Sequence, residues 1–189
     1  MISSLTLKVA VLSAATAVIV TGVSAQGLLT QYFPIPVALM KEAALTAIAT
    51  CAAKGEHVVA AVYDSNAIER VLFASDQTVD RHHVIELARR KAYTSLNDGG
   101  QLSSEMMKRW AADPAGVTGY MGNGPTTGLR NITLPGGAPL KINKDAIAAL
   151  GIAGSSTPEQ DEACAVAGVT QIQDRLDRLQ NKIDPLRTK

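Results

Sequence analysis

Histidine, cysteine and aromatic side chains are scarce in this chain. Its 189 residues hold three histidines, two cysteines, one Trp, four Tyr and two Phe. With so few aromatics, a core has to be built from Ala, Val, Ile and Leu. No two histidines stand at His-x-x-x-His spacing and the cysteines are far apart in sequence, which excludes the usual zinc patterns. No Ser or Cys lies in a nucleophile-elbow or triad context. Gly119, Gly122 and Gly124 are not followed by a helix-opening Lys-Thr or Lys-Ser, so they do not form a phosphate-binding loop. An excess of one charge is missing too: 18 basic residues face 17 acidic ones, a formal net charge of +1. That balance is no electrostatic footprint for nucleic acid or an anionic membrane surface.

The N-terminus carries an export pattern. Lys8 precedes the uncharged apolar run Val9 to Val20, and Val23-Ser24-Ala25 offers the small residues that a signal peptidase requires. The run is about a dozen residues, short of the roughly 20 that span a bilayer. Residues 1–25 therefore read as a cleavable signal peptide cut before Gln26, with an uncleaved N-terminal anchor as the alternative; no later run is apolar for long enough to cross a membrane. Lys8 leaves with the signal and the mature chain is neutral, 17 basic against 17 acidic residues. The remaining length suits a single domain. The expected location is periplasmic or secreted. There, Cys51 and Cys164 read first as a disulfide, the alternative being two separate buried thiols.

Along the mature chain, Pro36 suits the first turn of a helix in which Val37, Met40, Ala44, Ile48 and Cys51 recur at three- and four-residue spacing. Lys54-Gly55 ends it. His57 to Tyr63 and Ile68 to Phe73 read as a hairpin about Asp64-Ser65-Asn66. Asp80 is placed to cap a second helix to about Leu96, its apolar face at Ile85, Ala88, Ala92 and Leu96, with Arg89, Arg90 and Lys91 on the wet side. A short helix through Met106 and Trp110 stops before Asp113-Pro114. Gly116 to Gly137 is rich in Gly, Pro and Thr, and is either several short strands or a long functional loop. Leu134 to Ile142 and Ala146 to Ala153 read as antiparallel strands. Thr157 and Pro158 open the last helix, with Glu159, Asp161 and Glu162 in its first turns, where the helix dipole favours acids. Its far end repeats Val169, Ile172, Leu176, Leu179 and Ile183, either a two-chain coiled-coil seam or an ordinary packing face.

Leu134-Pro135-Gly136-Gly137-Ala138-Pro139-Leu140, Ala149-Leu150-Gly151-Ile152-Ala153-Gly154 and Pro158-Glu159-Gln160-Asp161-Glu162-Ala163-Cys164-Ala165-Val166-Ala167-Gly168 closely resemble the GlcG/HbpS-like family, which includes haem-binding proteins and the C-terminal domain of the PduO adenosyltransferase. The hairpin and the stretch Ala88 to Ser95 also resemble the family's strand pair and its Lys-Ala-x-Thr helix. The resemblance covers most of Val37 to Val169. It implies an α/β (α+β) profilin-like sandwich: an antiparallel sheet of about five strands flanked by helices, commonly assembled into homo-oligomers. Domain limits of 26–170 follow, with 171–189 as a C-terminal helical extension. In such a fold the first and last helices lie side by side, which makes a Cys51–Cys164 bond credible. One departure is Ala74-Ser75-Asp76-Gln77, where many members carry Arg-x-Asp-Gly.

The ligand that the resemblance implies is haem or a related tetrapyrrole. Haem iron takes an axial imidazole, and His82 and His83 stand in the first turn of the second helix, whose dipole favours the uncharged, ligating ring. Adjacent helical residues point apart, so one of them ligates while water or a partner subunit completes the shell. The competing reading is two exposed polar residues at a helix start. His57 reads as a strand-edge residue. Gly136, Gly137 and Pro139 are candidate ligand contacts, or a turn that needs them for its own geometry. Three functions stand: an exported tetrapyrrole-binding protein, a haem-degrading or redox enzyme acting on bound haem, and a cofactor-free structural or sensory oligomer.

Overall fold

The structure, a computed structural model, describes residues 35–78, 80–116 and 130–187, with side chains described to residue 179. The signal segment 1–25 and residues 117–129 of the Gly-rich stretch lie outside the described residues. The elements are α1 (Val37–Ala52), β1 (Val59–Asp64), β2 (Glu69–Ala74), α2 (Arg81–Asn97), α3 (Ser103–Ala112), β3 (Gly137–Ile142), β4 (Asp145–Ala153) and α4 (Pro158–Arg187). Four strands are described where about five were expected; they form one antiparallel sheet in the order β2-β1-β4-β3.

β1 is central and buried along its whole length. Alternation divides its side chains between two cores. Val58, just before the strand, with Ala60 and Val62, joins the larger core under α1 and α4. Val59, Ala61 and Tyr63 join the smaller one under α2. The result is a sheet with helices on both faces. On the smaller side the helix comes unusually close. A Cβ on Gly151 of β4 would lie 2.0 Å from the Ala88 carbonyl oxygen, and one on Gly137 of β3 would lie 2.1 Å from that of Lys91. Glycine on the strands and Ala88 and Ala92 on the helix let backbone meet backbone.

On the larger side, Ala43, Ala44, Ala47 and Cys51 of α1 are buried. The stripe is thus shifted from the expected one: Val37 is 47% exposed and Ala43 and Ala47 take part, small residues that allow α4 to approach. Pro36 sits one residue before the helix, at its N-cap position. Cys51 and Cys164 form a disulfide with Cα atoms 5.7 Å apart, joining the end of α1 to the start of α4. Thr157 caps α4 by accepting a hydrogen bond from the Gln160 N–H at 3.2 Å. Asp80 occupies the N-cap position of α2, but with a left-handed backbone and no side-chain capping bond.

α4 runs unbroken through residue 170, where domain and extension were expected to divide. Ile172 and Leu176 are fully buried in the protomer's own core, with Val169 and Leu179 packed against it. Arg175 closes the contact with a forked ion pair to Glu42 on α1, at 2.5 and 2.6 Å. As far as Leu179, the apolar stripe is therefore a packing face within one chain and not a two-chain seam. No described helix is long and apolar enough to cross a membrane.

Candidate functional site

α2 carries most of the candidate residues, and its 3.6-residue turn sorts them into faces. Ala88, Ala92 and Ser95 look onto the sheet. His82 is followed at four, seven and eleven residues by Glu86, Arg89 and Tyr93, and His83 by Leu87, Arg90 and Thr94. The two histidines thus lead two different stripes on either side of the outer ridge.

The first stripe runs towards β2. Arg89 reaches Glu69 with two hydrogen bonds, at 2.7 and 3.1 Å, and the Tyr63 hydroxyl donates to the same carboxylate at 3.2 Å. Burial, reinforced by the Glu69 charge, pushes the Tyr63 hydroxyl up to about 12. Glu69 in turn raises the Arg89 guanidinium further. The second stripe meets the segment 130–132. Arg90 donates through Nε to the Arg130 carbonyl at 3.2 Å and through Nη2 to the Asn131 carbonyl at 3.1 Å. The Ile132 N–H donates to Thr94 Oγ1 at 2.8 Å.

Lys91 corrects the sequence reading. Expected on the wet side, its side chain is 2% exposed, and it is ion-paired at 2.6 Å with Asp161, itself 4% exposed. The other Asp161 oxygen accepts from the Ser155 backbone N–H and hydroxyl, at 3.0 and 2.6 Å. Glu162 beside it accepts from the N–H groups of Ser104 and Gly136, at 3.0 and 3.3 Å. Asp161 and Glu162 are therefore joints that hold α2, α3 and the β3 turn together, not merely helix-dipole partners. The partner of Lys91 lies 70 residues away in sequence, beyond the reach of any local pattern. The usable signal was that a Lys-Ala-x-Thr helix and an Asp-Glu helix start both stood out, and opposite charges in two such motifs invite pairing.

The candidate residues do not form one cluster. Gly136 and Gly137 are buried against Lys91 and Ser95, and the Gly137 N–H donates to Ser103 Oγ at 2.8 Å. Gly136 also has a positive φ of 131°. Pro139 is partly buried on β3 opposite Ala149. His82 and His83 are exposed at the far end of α2, eight or nine residues and hence about 12–14 Å along the helix from Lys91. Neither imidazole has a hydrogen-bond or ion-pair partner among the described residues. His57 is half-buried just before β1, and its carbonyl lies where a Cβ on Gly154 would fall. Among the described residues no group of three or more His, Cys, Asp or Glu is placed to hold a metal ion.

The family model described as haem degrading protein HbpS-like matches residues 35–170, and the chain belongs to the HbpS-like family. The crystal structure of HbpS is similar at 29% identity and a TM-score of 0.66, covering 77% of this chain and 95% of that one. That of a double mutant of Streptomyces reticuli HbpS is similar at 28% identity and a TM-score of 0.66, covering 77% and 92%. A structure titled as a PduOC:heme complex shares the fold at 21% identity and a TM-score of 0.61, covering 73% and 94%. No curated protein sequence matches the chain.

Proposed function

We propose that this HbpS-like protein is exported and binds haem or a related tetrapyrrole through a histidine at the start of α2. The observation that carries the reading is the pair of exposed imidazoles without partners among the described residues, in a chain that belongs to the HbpS-like family. The donor set fits haem better than a chelated ion. A porphyrin supplies four ligands itself and asks the protein for one or two axial ones, which suits single imidazoles and the lack of a three-donor cluster among the described residues. Bound haem supplies a redox-active iron. The protein's part is to present the ring nitrogen and to hold the ring.

A homo-oligomer accords with the open setting of these histidines, since a second copy provides the cover that one protomer's described residues do not. Export rests on the Lys8 to Ala25 pattern; the mass of the mature chain checks it, and a chain retaining residues 1–25 sinks it. Haemin titration followed by Soret absorbance tests the main reading, and a wild-type protein with no saturable Soret shift overturns it. The matched family's description as haem degrading favours a second reading, turnover of the bound haem. Loss of Soret absorbance with a reductant, together with a released linear tetrapyrrole, supports turnover; haem that survives repeated cycles refutes it.

A further inference from the structure

The cations of α2 differ in how their charge is met. Arg81, at the helix start, donates to the Thr78 and Asp76 carbonyls, Arg89 is held by the Glu69 carboxylate and Lys91 by the Asp161 carboxylate. Arg90 is held by two backbone carbonyls, which fix its position without cancelling its charge. Arg130, whose carbonyl is one of those two, is exposed. Among the described residues neither arginine forms an ion pair, and Glu86, one turn before Arg90, forms none with it. Among the described residues, two of the five guanidinium N–H groups of Arg90 find acceptors, which leaves three to be given to an anion.

We infer that Arg90, with Arg130 beside it, anchors a carboxylate at the edge of the tetrapyrrole, and that His83, not His82, is the histidine facing its iron. The inference rests on the proposed haem reading. Its geometric basis is the stripe: Arg90 lies seven residues after His83, on the same side of α2 and about 10 Å along it. The long Arg and His side chains bridge that span to the propionate edge and the centre of one porphyrin. His82 leads the other stripe, where Arg89 is already neutralised by Glu69. A pre-positioned guanidinium loses little side-chain freedom when a carboxylate docks on it.

The test titrates the full chain with haemin, metal-free protoporphyrin and haemin dimethyl ester, whose carboxylates are masked. Wild type is expected to prefer haemin to the ester. Arg90→Gln weakens haemin and metal-free protoporphyrin alike by about ten- to a hundredfold, the range of a charge-assisted hydrogen bond, and leaves ester binding unchanged. His83→Ala weakens haemin and alters its Soret band but leaves metal-free protoporphyrin binding as it was, while His82→Ala does neither. A wild type that binds the ester as tightly as haemin overturns the inference however the variants fold. So does an Arg90→Gln protein that binds free-acid porphyrin like wild type. In both cases haem binding itself survives; wild type that binds no porphyrin fails the functional reading instead.

Discussion

Lys91 and Asp161 form a buried ion pair on which the joint between α2 and α4 depends. Both side chains are at least nine-tenths buried, the Nζ–Oδ2 distance is 2.6 Å, and the second Asp161 oxygen is already engaged by Ser155. Lys91→Met removes the cation and keeps the bulk of its stem, leaving a buried carboxylate with hydrogen bonds but no counter-charge. Asp161→Leu leaves the ammonium buried alone. Breaking one side of such a pair costs about 3–5 kcal/mol, a large share of the roughly 5–15 kcal/mol that holds a domain folded. The double variant removes both charges at once. It gives up the Ser155 bonds, but Ser155 is only partly buried and water reaches it, so the double variant is expected within about 2 kcal/mol of wild type. Urea unfolding of the four proteins, compared at constant slope, reads the result. Single variants losing less than about 1 kcal/mol, or a double variant as weak as the sum of the singles, would refute the reasoning.

Replacing Cys51 and Cys164 by Ala, or reducing them, frees a loop of 113 residues; chain entropy sets about 5 kcal/mol as the upper size of the loss, and an unchanged urea midpoint after confirmed reduction contradicts it. Absorbance titration is expected to show one tyrosine ionising near 12, namely Tyr63. Because that hydroxyl stays protonated in the folded chain after an unfolded one has ionised, its stabilisation is complete below about pH 10 and is lost as pH rises towards 12; Tyr63→Phe flattens that part of the stability profile, and an identical slope in both proteins counts against the assignment. Leu176→Ala, in a side chain wholly buried in its own core, is expected to cost about 2–5 kcal/mol and to leave the mass measured by light scattering unchanged. A drop to a smaller species at full stability would return the stripe to an interface between chains.

Much of the fold is legible because its buried faces follow simple periods. β1 lies under helices on both sides, so its apolar run needs no alternation to be read as a strand. Thr157 and Pro158 mark the start of α4 through local chemistry. What escapes is whatever depends on a distant partner. Lys91 belongs by type among wet residues and is buried because Asp161 meets it. Gly137 reads as a turn or ligand glycine, yet the backbone of α2 sets it, as it sets Gly151 on β4. Val37 belongs by type on the apolar stripe, while Ala43 and Ala47 hold that place because α4 crosses there.

The same distinction separates the two ends of α2. At its C-terminal half, the residues that stand out in sequence are consumed by the fold: Lys91 by Asp161, Gly136 by Glu162, Gly137 by Ser103 and the helix backbone. A residue whose polar and steric capacity is already met by its own chain has little left to offer a ligand. At the N-terminal half and along the outer stripe the reverse holds. His82 and His83 have no partners among the described residues, and Arg90 keeps donors and charge in reserve. Chemical capacity left over after folding, more than prominence in a motif, is the ground on which the proposed haem site is placed on the outer side of α2.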